Sequence, residues 1–206
     1  SLSALWAGFL WGREAVLPFK HVLRRQRYDW NWQTGALESV FKSLYPQLKL
    51  NIPFFTFPAE PESSFLTATM KAAAASGFAL QGMAFRSAHD PIQMHWQRQA
   101  FIPKTIDQVD MLQLEKAIVD FMEKRGEPVT YLRLHAAFLV FLSETHSLDW
   151  QAELVSDLHT PIQEILKHDT FTRFGGTPHS LETGLWGLCA HSEDMTPLPD
   201  QVEAYL

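Results

Sequence analysis

The chain has 206 residues, is 46% hydrophobic and carries a formal charge of −6 at pH 7, enough apolar material for one large domain or two small ones. The charge is unevenly spread: residues 1–105 hold 11 Lys/Arg against 6 Asp/Glu, and residues 106–206 hold 6 against 17, so only the first half has an electrostatic case for meeting nucleic acid. One cysteine excludes a disulfide framework and points to a reducing, cytoplasmic setting, and no apolar run nears the ~18 residues of a membrane span.

In chain order, Leu2 to Trp11 reads as a short apolar helix without the basic flank of a signal peptide. Pro18 can open a second helix to Gln26, with Val16, Phe19, Val22 and Leu23 on one stripe and Lys20, Arg24 and Arg27 on another. Asp29 can cap a third helix running to about Tyr45, with Trp30, Leu37, Val40, Phe41 and Leu44 inward and Trp32 nearer the surface. LNIPFFTF (50–57) suits a buried strand, although Pro53 warns of an edge. An alanine-rich helix over 60–76 stops at Gly77. FALQGMAFR (78–86) is a strand, SAHDP a turn, and IQMHWQR (92–98) a strand whose Ile92, Met94 and Trp96 share one face.

The acidic half opens with Thr105 and Gln108 as a capping box for a helix to Arg125, with Val109, Leu112, Ile118, Phe121 and Met122 inward and Gly126 as the stop. EPVT is extended. A helix over 131–144 contains AAFLVFL, which is buried all round or lies at a junction. Thr160, Pro161 and Gln163 fit an N-cap, N1 and N3 of a short helix to His168. FTRF and GLWGLCA form a two-stranded hairpin, in which Cys189 is expected to be a buried, inert thiol. Helix, strand, helix, helix, hairpin is the order of a winged helix.

No phosphate-binding loop, dinucleotide fingerprint, serine-nucleophile elbow or zinc-protease motif is present, and no histidine pair has the helical spacing of a metal site. His89-Asp90 has the look of an orienting pair but lies in turn chemistry without a nucleophile. RRQRYDWNW (24–32) mixes cations and rings as a single-strand platform does, yet equally suits a solvated helix end beside a buried Trp30. The residues expected at a nucleic-acid surface are Arg24, Arg25, Arg27 and Trp32, with Lys167 and Arg173 on the winged half. Two cations in so acidic a half suit a packing or protein-binding module better than a polyanion site.

Two stretches resemble known families. FFTFPAEPESSFLTATMKAAAASGFALQGMAFR through DPIQMHWQR resembles the end of a class I S-adenosylmethionine-dependent methyltransferase, and WGREAVLPFKHVLRRQRYDWNW is similar to the segment after the catalytic motif of some bacterial adenine-specific DNA methylases. The helix at 108–125 through TPIQEILKHDTFTRF to GLWGL resembles winged-helix domains of the HARE-HTH kind. The cofactor loop and the (D/N)PP(Y/F) motif of such methylases are missing, and the chain has no Pro-Pro dipeptide.

The expected fold class is therefore α/β, with a small partial Rossmann-like sheet over residues 1–104, a winged-helix (α+β) module over 105–195 and the start of a further helix over 196–206. The Ser start and the closing helix without a stop signal suggest a piece of a longer protein. The resemblance implies a non-catalytic C-terminal part of a DNA-methyltransferase-like protein, with S-adenosylmethionine bound only by a parent protein. Expected partners are DNA, through the basic first module, and a protein partner or upstream domain, with no membrane. The alternative is a protein-interaction or assembly module without nucleic acid.

Overall fold

The computed structural model describes residues 8–17, 29–50, 52–58, 62–85, 92–99, 110–145 and 159–189. Ser1–Trp30 and Asn31–Leu206 are two compact units. In the first, residues 8–11 are helical and Arg13–Val16 forms a 3-10 turn, with Phe9, Leu10 and Trp11 exposed. The predicted helix from Pro18 to Gln26, and with it Arg24, Arg25 and Arg27, lies outside the described residues.

The chain is a mixed α/β protein, and its described residues form two three-stranded antiparallel sheets. The first sheet is built from β1 (Pro53–Thr56), β2 (Phe78–Ala84) and β3 (Gln93–Arg98), preceded by α1 (Trp30–Leu44) and interrupted by α2 (Ser63–Ala75). Its order is β1-β3-β2, and β3 is antiparallel to both neighbours. β1 and β2 therefore run parallel, and α2 is the crossover between them. An extra residue, Gln81, bulges β2 between Leu80, opposite Trp96, and Gly82, opposite His95.

The alternation in β3 decides the core. Met94 and Trp96 are buried, as is Ile92 just ahead of the strand, while Gln93, His95 and Gln97 lie on the other face. Phe41 of α1 meets Phe54, Phe78 and Trp96, with ring centroids 6.1, 5.6 and 6.1 Å away. Val40, expected inward, is 54% exposed. Leu37, Phe41, Leu44 and Tyr45 form a narrow i, i+4, i+7, i+8 line against the sheet, and Val40 falls on its flank.

α2 is buried almost all round, and its hydroxyls stay satisfied by donating back one turn, Thr67 to Ser63 O, Thr69 to Phe65 O and Ser76 to Ala72 O. It ends at Gly77, whose φ of +84° suits glycine. A Cβ there would sit 2.6 Å from Tyr45 Cε2, and Tyr45 is itself held by its hydroxyl donating to Gln99 O at 2.8 Å and by the Arg98 guanidinium 4.1 Å above its ring. Gly77→Ala is expected to lower stability by about 1–3 kcal/mol, read as a drop in the urea midpoint; an unchanged midpoint would mean that Tyr45 swings away freely.

The second sheet has the order β4-β6-β5, from β4 (Val129–Thr130), β5 (Phe171–Phe174) and β6 (Leu185–Leu188). Around it lie α3 (Met111–Arg125), α4 (Tyr131–Thr145) and α5 (Thr160–Ile165). α3 begins at Met111, capped by Asp110, whose Oδ1 accepts from Leu112 N and Gln113 N at 3.0 and 3.3 Å. The predicted capping pair Thr105/Gln108 and Val109 lie outside the described residues. The inward stripe is accordingly Leu114, Ile118 and Met122, and Leu112, expected inward, is 78% exposed. Gly126 closes α3 in the left-handed conformation, as expected. His159, not Thr160, stands at the N-cap position of α5, and its side chain makes no capping hydrogen bond. Leu139 and Leu142 of α4, Ile165 of α5 and Leu66 and Met70 of α2 belong to one core continuous with Phe41 and Trp96.

Candidate functional site

Two features stand out within residues 31–206: a free sheet edge at β1, and a buried polar seam between α2, α4 and α5.

Among the described residues β1 pairs with β3 alone, so within them its other side presents an unpaired strand edge. Phe54 points into the core and Thr56 accepts from Trp96 Nε1 at 2.9 Å. Phe55 faces the opposite way, 50% exposed and stacked on His95 at 4.8 Å, and Phe57 is 57% exposed with Leu50 and Ile52 exposed nearby. LNIPFFTF is thus an open edge rather than the expected buried strand; the warning from Pro53 was the better signal.

The seam is built from Ser63, Ser64 and Thr67 on the first turns of α2, Tyr131 and His135 on α4, His159 at the head of α5, and Glu182 from the β5–β6 loop. Thr67 Oγ1 donates to Ser63 O, so the 2.7 Å contact with His135 makes Nε2–H the donor to Thr67. His135 Nδ1 is then a lone pair, fully buried and, among the described residues, without a hydrogen-bond partner. The His159 ring stacks on His135 with centroids 4.4 Å apart. His159 reaches Ser64 Oγ through Nε2 at 3.2 Å and the Tyr131 hydroxyl through Nδ1 at 3.1 Å. Ser63 Oγ donates to Glu182 Oε1 at 2.9 Å.

Burial holds His135 well below the usual imidazole range, and a second imidazole beside it adds to the effect. His159 is lowered by burial against the opposing pull of Glu182. Tyr131 is raised by burial and by Glu182, with a hydrogen bond from Gln163 working the other way, so the phenol stays protonated. The seam is neutral at pH 7 apart from Glu182. A protonated phenol and a neutral imidazole can relay hydrogen bonds from α2 to α4 and α5, which makes the seam a joint between the two sheets. Sequence reasoning missed it: His135 and His159 are 24 positions apart, and only their neighbours in space make them a pair.

The structure separates the other expected site residues. Trp32 is 41% exposed on α1. Lys167 is exposed just after α5. Arg173 is committed to its own hairpin: Nε donates to Thr183 O at 2.9 Å, Nη2 to Thr183 Oγ1 at 2.7 Å and to Ser180 O, and the guanidinium lies over Trp186 at 5.6 Å. Cys189, expected to be buried in the last strand, is exposed because that strand ends at Leu188. His89 and Asp90 lie outside the described residues. Among the described residues no cluster of three or more His, Cys, Asp or Glu could hold a metal ion, and no helix is long and apolar enough to cross a membrane. Comparison with protein-family models, curated proteins and solved structures yields no match.

Proposed function

We propose that this chain is a non-catalytic C-terminal part of a DNA-methyltransferase-like protein: its first sheet continues a larger sheet across the free edge of β1, and its basic first half helps dock DNA. The observation that carries this reading is the arrangement of the first sheet, two parallel strands joined through a helix and separated by an antiparallel third, with the β1 edge apolar and, among the described residues, unpaired. An open sheet of this kind gains both backbone hydrogen bonds and burial of Phe55 and Phe57 when another strand is added. In the second half, helix, strand, two helices and hairpin with order β4-β6-β5 support a winged-helix reading. With Arg173 committed to its hairpin, that half is better equipped to pack than to hold phosphate.

The test is fluorescence anisotropy with labelled duplex and single-stranded DNA at low and near-physiological salt, comparing the chain with an Arg24→Ala/Arg25→Ala/Arg27→Ala variant. Binding that falls steeply with salt and is lost in the variant is the expected result. Absence of binding even at low salt would remove DNA docking. The second reading, a protein-binding or assembly module, is favoured by the same open edge, and then Phe55→Lys should weaken partner capture while leaving the fold intact.

A further inference from the structure

We propose that the groove between α3, α4 and the end of β2 binds a small amphiphilic anion, a flat apolar body carrying one carboxylate, sulfonate or phosphate group. The groove encloses about 600 Å³, within the size range of small-molecule sites. Ala117, Ala136 and Ala137 contribute small side chains that leave it deep, and Phe85, Phe121 and Phe141 supply flat walls. An aromatic or acyl body fits such a lining; a strongly hydrated ligand does not.

The charge at one end specifies the rest. Lys124, Arg125 and Arg133 all line the groove. Arg125 is already paired with Glu127. Arg133 is half-buried, with the Phe85 ring centroid 6.0 Å from its guanidinium, and among the described residues no carboxylate is hydrogen-bonded to it. Burial, followed by the charge of Arg125, lowers its pKa, with Glu127 opposing. A partly dehydrated guanidinium whose N–H donors meet no hydrogen-bonded carboxylate is incompletely satisfied, which a bidentate oxyanion would offset. Asp120 and Glu144 also line the groove. They repel an extended polyanion, so a single compact anion is the fit.

The test is titration with 8-anilinonaphthalene-1-sulfonate, followed by its emission, against the uncharged N-phenyl-1-naphthylamine. The wild-type chain should bind the sulfonate with 1:1 stoichiometry and the neutral ring about tenfold more weakly. Arg133→Gln should cost about tenfold in sulfonate affinity and leave the neutral ring unaffected, with Arg133→Lys in between. Ala137→Trp, which fills the floor, should abolish both. Because that variant risks misfolding, Arg133→Gln at a half-exposed position keeps the test decisive by itself, with far-ultraviolet circular dichroism as the fold check. Equal affinity for charged and neutral rings, or sulfonate emission unchanged in Arg133→Gln, would overturn the proposal, the latter assigning the dye to an apolar surface such as β1. Tighter binding of an acidic amphipathic peptide than of the sulfonate would also overturn it, in favour of a peptide groove.

Discussion

Urea unfolding is expected to become easier as the pH falls below about 6.5, the ordinary imidazole value. His135 and His159 are both buried, and burial holds both below that value when folded. Above pH 6.5 neither state binds a proton at these sites, and they add no slope. Below it the unfolded chain takes up protons at these two sites more readily than the folded chain does. Stability is therefore lost from the unfolded pKa downward, until the folded pKa values are reached. His135, held well below the ordinary value, contributes up to ~1.4 kcal/mol per pH unit there, and His159 adds to the loss in the same direction. That is a large fraction of a typical domain's stability. The geometry explains why: a proton on His135 Nδ1 would be a donor with nothing among the described residues to accept it. His135→Gln and His159→Gln should each flatten the pH profile of the urea midpoint. Parallel profiles for wild type and both variants would assign the acid sensitivity elsewhere.

The second large effect is expected at Trp96. Its ring is buried against Phe41, and its Nε1–H reaches Thr56 on the edge strand. Trp96→Ala should cost about 3–5 kcal/mol through lost burial and the cavity left behind. Trp96→Phe keeps most of the volume but leaves Thr56 without that donor, about 1 kcal/mol. Because the bond ties β1 to β3, Trp96→Phe should also speed amide exchange in β1 more than in the second sheet. A loss below 1 kcal/mol for Trp96→Ala, or uniform exchange in Trp96→Phe, would mean that the aromatic cluster does not hold the edge.

Both expectations combine a local signal with a spatial one. That Trp96 is buried was legible from the alternation of IQMHWQR, because a strand exposes successive side chains to opposite faces. The stops at Gly77 and Gly126 were legible because a left-handed residue is the cheapest helix end. The start of α3 was misplaced: the cap was expected at Thr105, whereas the described helix begins at Met111 with Asp110 as its cap. Ile118 and Met122 lie inward as expected, while Leu114 takes the inward place given to Leu112.

By itself, then, the sequence determined most of the elements and the alternation of the first sheet's central strand, since periodicity, caps and glycine stops act within a few residues. Only the tertiary structure decided which surfaces meet. It stacked His135 on His159, left Phe55 and Phe57 exposed on a strand edge unpaired among the described residues, committed Arg173 to its own hairpin and placed Arg133 in a groove with no carboxylate of the described residues hydrogen-bonded to it. These outcomes depend on how the helices and sheets pack across long separations, and a local pattern records that a face is buried without recording what buries it.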